Sequence, residues 1–500
     1  MYETLPGIMI PSDPITLVLS TILCLLFVLF FFGWKKNAYN LPPGPRPLPI
    51  IGNLHILDMK RPYLTMHELS KKYGAVYTLQ LGVEKVIVIC GYEAVKDALV
   101  NHADEFSGRP KVTMFDEMYK GHGIILSTND NWRAMRRFTL STLRDFGMGK
   151  ETIERKIAEE SDFLVQKFRS YKGEPFDNIN NINAAVFNII IYILLSTRFD
   201  YEDPTLLKML KMIHEIDILT GSPMAVLYNT YPSVMRWFTS VAKKAIRNLN
   251  GLHVFIQEAF TNHRKQLDVN DQRNLIDSFL VKQREEKPNP KLYFTNENLT
   301  QLVADLFEAG METSSITLRW GLLLMMKYPE IQKKVQSEID KVIGTNEPQV
   351  IHRKEMPYTD AVIHEIQRFG NIVPANVSHA TTQDVNFRGY LLPKGIQVIP
   401  LLTSVLNDKN HFVKANEFYP EHFLDSSGNF VRNEAFMPFS AGKRSCAGEN
   451  LAKMELYLFF TRLLQNFTFK APPGATLDLT PAVGFIASPM PYKMCAIPRV

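Results

Sequence analysis

Cysteine is scarce in this 500-residue chain: Cys24, Cys90, Cys446 and Cys495 are the only four, and no CxxC pair occurs. That usage excludes a disulfide framework and a zinc site, and it fits a reducing, cytosol-facing compartment. A surplus of one charge is also missing, since 56 Lys and Arg face 51 Asp and Glu for a formal net charge of +5. A nucleic-acid binder would carry a clustered excess, so that class is set aside; a local basic face for an acidic partner or a membrane surface stays open. No GxGxxG run follows a strand pattern, so the chain is not expected to take hydride from a nicotinamide itself. After residue 53 there is no Gly/Ser-rich linker, repeat or low-complexity stretch, which argues for one large domain despite the length.

What is present begins with an apolar run. Residues 15 to 34, ITLVLSTILCLLFVLFFFGW, hold no charge, and at about 1.5 Å per residue a helix of this length crosses a hydrocarbon layer roughly 30 Å thick. A cleavable signal peptide would have a shorter core ending at small residues. Glu3 and Asp13 precede the run, whereas Trp34, Lys35 and Lys36 follow it, so the positive-inside rule puts everything downstream in the cytosol. Cys24 lies within the run as a lipid-facing or packing residue. Next comes LPPGPRPLPIIGN, 41 to 53, whose prolines fix φ and remove donors, giving a stiff extended connector. The expected division is a membrane anchor over 1–36, a proline-rich linker over 37–53 and a catalytic domain over 54–500.

Strand-like alternation is expected over 75–90, 384–400 and the last thirty residues. Helical patterns cover 91–103, 131–170, 180–195, 205–219, 235–266, 297–327, 329–342, 358–369 and 449–465. The fold class is therefore mainly α with a small β-rich part. Residues 223–238, PMAVLYNTYPSVMRWF, form either an interfacial apolar patch or core.

Cys90 and Cys495 read as small buried hydrophobes. Cys446 differs, because FSAGKRSCAG (439–448) brings Gly442 and Gly448 beside it and opens onto a helical run, ENLAKMELYLFF. A helix N-terminus and the cation of Arg444 both favour a thiolate. No elbow or partner base suggests a nucleophile, and one sulfur cannot build a zinc or iron-sulfur site. One thiolate is, however, all that a haem iron needs on its proximal side.

FSAGKRSCAG resembles the haem-binding signature of the cytochrome P450 superfamily at every defining position, and the likeness runs over roughly 41–500 together with the N-terminal anchor. It is nearest to the vertebrate microsomal family-two enzymes. The resemblance implies the cytochrome P450 fold with an N-terminal transmembrane helix, haem b (iron protoporphyrin IX) and Cys446 as axial ligand. Phe439 would pack beside the thiolate, and Arg444 would pair with a haem propionate. Trp132 and Arg136 in WRAMRR, Arg109 in FSGRP and His379 in NVSHA would serve the propionates from other sides, as buried carboxylates require.

Within DLFEAGMETSS, 305–315, Ala309 and Gly310 are small enough for close approach to the haem, and Thr313 can bond back to the carbonyl four residues earlier. Glu312 and Thr313 form the expected catalytic pair, delivering or positioning the protons that O–O cleavage needs. Glu365 and Arg368 in HEIQR share a helix face as a structural pair. The third member, usually an Arg, is His422 in this chain, which leaves the charge balance of the triad open. By the same resemblance Val112, Met114, Ile125, Leu126, Ala309, Val373, Val377 and Phe485 line the substrate pocket. Glu308, where relatives usually carry a small or apolar residue, lies about 100° from Ala309 on the flank of the haem-facing side. Either a neighbouring helix pairs it or it meets substrate.

The implied function is monooxygenation of lipophilic compounds such as fatty acids, steroids or xenobiotics, with electrons from NADPH delivered by a reductase. The alternatives are a hydroperoxide isomerase or dehydratase needing no electron donor, and a non-enzymatic haem sensor or electron carrier. The basic stretch Arg133, Arg136, Arg137, Arg144, Lys150, Arg155 and Lys156, with Lys443 and Lys453 beside the cysteine loop, is expected to dock an acidic NADPH-cytochrome reductase or a cytochrome b-type donor. The expected location is the endoplasmic reticulum (microsomal) membrane, with the catalytic domain in the cytosol.

Overall fold

A computed structural model describes residues 14–32, 39–146, 151–286 and 293–499, with the side chains of residues 26, 28–32, 151 and 286 excepted. Glu3, Asp13, Trp34, Lys35, Lys36 and Lys150 lie outside the described residues. The anchor run forms a helix, Pro14–Phe32, of 19 residues without a charge, and Ile15, Leu17, Val18, Leu19 and Leu23 on it are exposed. Among the described residues, however, no helix is long and apolar enough to cross a membrane. The transmembrane expectation is corrected to that extent: the expected span of 15–34 ends at residues 33 and 34, which lie outside the described residues, and the described helix has 19 residues. The structure shows an exposed apolar helix.

Helices dominate, as the periodicity predicts, and their ends follow local chemistry. Pro204–Thr220 opens with Asp203, whose carboxylate accepts from the Thr205 and Leu206 amides, and with Pro204 at the first position. Asn296–Lys327 opens on Thr295, whose hydroxyl accepts from Asn298 N. The run expected over 131–170 is two helices, Asn129–Asp145 and Glu151–Ser170. The run over 235–266 breaks at Thr239 and Ser240 into Pro232–Phe238 and Val241–Lys265. Pro62–Tyr73, Thr113–Tyr119 and Leu275–Glu286 are helices that the periodicity did not signal.

The longer strands fall where alternation marks them, whereas Phe176–Asp177, His379–Ala380 and Phe467–Lys470 lie outside the marked stretches, and several partners come from far along the chain. In the four-stranded sheet Val76–Leu81 pairs antiparallel with Glu84–Ile89, which pairs in parallel with Gln397–Pro400, and that strand pairs antiparallel with His379–Ala380. Lys493–Pro498 joins Phe467–Lys470 and Phe176–Asp177 in a second sheet. The proline connector is extended over 41–47 and then doubles back in a turn closed by paired hydrogen bonds between Leu48 and Gly52 at 2.9 Å; its extended part is stapled to the first strand, with Thr78 N and Oγ1 donating to the carbonyls of Pro43 and Pro42 at 2.8 Å each. A side chain at Gly44 would meet the Thr78 carbonyl oxygen at 1.9 Å, so only glycine lets the two segments close.

Asn296–Lys327 is the axis of the molecule. From Asn298 to Met326 every residue is buried except Leu306, Glu308, Ala309, Gly310 and Thr313. Leu306, Ala309, Gly310 and Thr313 recur at i, i+3, i+4 and i+7, so the exposure is one stripe on an otherwise buried helix. A stripe of that kind marks the wall of an internal cavity.

Candidate active site

The cysteine loop is built from backbone that few residues tolerate. Ser440 and Gly442 both have positive φ, 58° and 69°, and a Cβ on Gly442 would meet the Leu99 carbonyl oxygen at 1.7 Å. A short turn over Gly442–Arg444 follows, Cys446 N donates to the Phe439 carbonyl at 3.0 Å, and helix Glu449–Asn466 begins just beyond Gly448. The Cys446 side chain is accessible, yet enough protein surrounds it that burial pushes its thiol up, with the Gly448 amide and Arg136 pulling it down and Glu449 opposing them. Accessible and desolvated together describe a residue on the wall of an enclosed space. Arg444 is not the cation that the sulfur feels. Its guanidinium turns away, stacks over Trp132 at 3.8 Å, and donates to the carbonyls of Ser107 and Ser127 at 2.8 Å each.

Three guanidinium groups converge beside that space without a carboxylate. Arg109 donates to the carbonyls of Ile125, Val377 and Ser378 at 2.9 Å each. Arg136 donates to the Ser445 carbonyl at 2.8 Å. With Arg444 they crowd one another: burial and then the neighbouring guanidiniums lower Arg444 to about 8, and burial and Arg136 lower Arg109 to about 9. Among the described residues none of the three has an ion-pair partner. Trp132 Nε1 is buried with no acceptor at all.

His379 gives Nδ1–H to the Phe106 carbonyl at 2.6 Å, and burial, Arg109 and Arg444 push it down to about 3. It could donate from Nε2 only as an imidazolium, a form that a nearby anion would restore. Three unpaired cations, an orphaned indole N–H and this imidazole make a donor set that lacks a dianion. The two propionates of a haem, with Cys446 available to its iron, fit that deficit.

On the opposite wall the exposed stripe presents Ala309 and Thr313, and Thr313 Oγ1 donates to the Ala309 carbonyl at 2.7 Å as expected. Of the other two expected residues, Gly310 abuts a neighbouring helix at the edge of the stripe and Glu312 is buried away from it. Gly310 has no Cβ because one would meet Ile190 Cδ1 at 2.6 Å, so its small size serves the crossing with helix Ile179–Leu195. The Glu312 side chain is buried towards Pro204–Thr220, with its carboxylate 3.4 Å from His214 Nδ1 as an ion-pair contact without a hydrogen bond to either oxygen. It does not meet Thr313.

The pocket expectations divide. Val112, Ile125, Leu126, Val373 and Val377 are partly exposed, as is Phe485, whose ring meets Phe115 edge-on at 6.3 Å. Met114 is corrected: at 0% exposure it belongs to the core beneath the pocket and presents no surface to a ligand. Glu308 meets a neighbouring helix, its Oε2 accepting from Tyr119 Oη at 3.0 Å.

Asp305 escaped the sequence reading. Its Oδ2 accepts from the Ile124 and Ile125 amides at 2.7 and 3.0 Å, and Oδ1 accepts from Gln301 Nε2 at 2.8 Å. It pins the 122–127 segment, and so Ile125, against the axial helix. An acid within an apolar helical run is the signal that could have found it.

The structural pair is complete. Glu365 and Arg368 are fully buried and bidentate at 2.6 and 2.8 Å, and Arg368 also donates to the carbonyls of Leu406, Ala415 and Glu417. His422 Nε2 accepts from Lys414 N at 3.2 Å, so the proton is on Nδ1, which donates to Glu365 at 3.1 Å. A neutral imidazole thus satisfies the third position with one cation and one anion in balance.

A family model for cytochrome P450 matches residues 42–496. The chain is 46% identical to Cytochrome P450 2K1 of Oncorhynchus mykiss over 98% of both chains, and 46% identical to Cytochrome P450 2C8 of Homo sapiens over 95% of this chain and 98% of that one. It is 44% identical to Cytochrome P450 2A10 of Oryctolagus cuniculus over 97% of this chain and 99% of the relative. The chain belongs to the cytochrome P450 family, among its family-two members, and is a monooxygenase of the oxidoreductase class.

Proposed function

We propose that the protein binds haem b between the cysteine loop and the axial helix, with Cys446 on the iron and Arg109, Trp132, Arg136, His379 and Arg444 on the propionates, and that it inserts one oxygen atom into lipophilic substrates. The observation that carries this reading is the uncompensated donor set: three guanidiniums and an indole N–H gathered beside the cysteine loop, with no acid among the described residues to meet them. Bound haem would supply activation of dioxygen, with thiolate donation favouring O–O cleavage.

The chain's own residues do the rest. Thr313 already gives its proton to the Ala309 carbonyl, so its oxygen lone pairs are available to accept from, and hold, a water that carries protons. Glu312 acts from the flank as a more remote proton source. Asp305 keeps the pocket wall seated, and the aliphatic lining excludes bulk water and favours apolar substrates.

Electrons come from NADPH through a reductase on the proximal face. Much of the expected basic patch is already paired: Arg133 with Asp130, Arg155 and Lys156 with Glu159, Lys443 with Asp104, and Lys453 with Glu449. Arg137 and Arg144 have no ion-pair partner among the described residues, and they carry the docking in this proposal. Anchorage is by Pro14–Phe32 at the endoplasmic reticulum membrane, helped by the exposed Val234, Trp237 and Phe238. The test is reconstitution with a reductase and a panel of apolar substrates. NADPH-dependent oxygen insertion, read by mass spectrometry, is expected; turnover of hydroperoxides alone would assign the isomerase reading instead.

A further inference from the structure

Glu308 is the site acid left half-bonded. Its Oε2 holds Tyr119, but Oε1 is buried with no partner. The two acids whose charge it feels are better satisfied: Asp305 accepts three hydrogen bonds, and Asp217 Oδ1 accepts from Ile486 N at 2.9 Å. Among the described residues no cation pairs with Glu308. The charges it feels are Asp305 on its own helix and Asp217 from Pro204–Thr220, and with burial leading they push its carboxyl up to about 8. Beyond Asp217 lie His214, Glu312 and Arg319, a group turned towards one another rather than towards Glu308.

The position of Glu308 points to a ligand. The residue is partly exposed and precedes Ala309 on the cavity wall. Its partner Tyr119 ends the short helix whose Phe115 meets the pocket residue Phe485. A donor that enters beside the partly exposed Glu308 meets an Oε1 without a partner, while Oε2 keeps its bond to Tyr119. We propose that Glu308 is a specificity-determining residue that anchors the protonated nitrogen of a lipophilic amine, so that amines are the favoured substrate class and carboxylates are disfavoured. A neutral hydrogen-bond acceptor would satisfy one oxygen; a cation also relieves the repulsion among Glu308, Asp305 and Asp217. The step balances simply: Glu308 enters as the acid, leaves its proton to solvent, and pairs as carboxylate with the ammonium.

This inference rests on the haem-cavity reading, and the experiment separates the two. N,N-dimethyldodecylamine, dodecan-1-ol and dodecanoate share one chain and differ in charge, so their binding to the haem-loaded enzyme is measured by equilibrium dialysis, with proton release from calorimetry in two buffers. The amine should bind at least about tenfold more tightly than dodecanoate and release a proton, and Glu308→Gln should weaken the amine about tenfold, leave the alcohol within about twofold, and abolish the release. Equal affinities for the three ligands, or an unchanged amine affinity in Glu308→Gln, overturn the inference. If the variant does not accumulate, wild-type enzyme decides: amine affinity rises from about pH 6 to about pH 8 as Glu308 ionises while that of the alcohol stays flat, and the reverse trend overturns the inference. A reduced carbon monoxide spectrum of the same sample tells the readings apart, since a missing thiolate band refutes the haem site, whereas a normal band without amine preference refutes only the role of Glu308.

Discussion

Trp132 donates its indole N–H to nothing among the described residues, which makes it a clean probe of what the cavity holds. Removing a donor that has no internal partner costs the apoprotein almost nothing and costs the bound group a hydrogen bond to a charged acceptor, worth about 1.5–3 kcal/mol. Trp132→Phe is therefore expected to leave the thermal stability of the haem-free protein nearly unchanged and to speed haem transfer to an acceptor globin by roughly tenfold. Equal transfer rates would remove Trp132 from the haem contacts.

Glu308 offers a second prediction, in stability rather than binding. Its folded carboxyl lies at about 8 and its unfolded one near 4.5, so between these values the native state holds a proton that the unfolded state has released. Stability from this group is present at low pH and is lost as pH climbs towards 8. Glu308→Gln, which keeps an acceptor for Tyr119, should match wild type near about pH 4.5 and melt progressively higher than it up to about pH 8, as a fluorimetric melting series would show. Some of these roles were legible and some were not. The Cys446 loop could be read because its chemistry is local. The burial of Met114 and the turn of Glu312 towards His214 depend on what packs against each flank, and helical periodicity says nothing about that.

The elements divide into those whose neighbours can yield and those whose neighbours cannot. At Gly310 an added methyl meets the end of the Ile190 side chain, at Gly442 a backbone carbonyl. Gly310→Ala should cost about 1–3 kcal/mol as Ile190 repacks. Gly442→Ala faces an immovable oxygen at a left-handed φ of 69° and should fail to accumulate as haem-loaded protein. Comparing the two by denaturant titration and haem content checks the order, and a reversed ranking would place the tight contact elsewhere. The helices that periodicity found are long and amphipathic; those it missed, such as Thr113–Tyr119, are short. The parallel pairing of Glu84–Ile89 with Gln397–Pro400 joins segments some three hundred positions apart, a distance at which pattern carries no register.

At the scale of the whole molecule, anchor, catalytic body and docking face are separable claims. Removing residues 1–36 should release most of the enzyme from membranes while sparing the haem site, with residual affinity through the exposed Trp237 and Phe238. Loss of haem on that truncation would show that the anchor supports the body. Arg137→Glu should raise the apparent KM for reductase several-fold at low salt, and the difference should shrink as salt screens the contact. Beneath these lies the assignment of one sulfur, and the reduced carbon monoxide spectrum of the full-length protein beside Cys446→Ser tests it most directly. A thiolate-type band is expected in the wild type and should disappear in the variant together with NADPH-dependent turnover; a variant that kept both would show that Cys446 is not the iron's ligand.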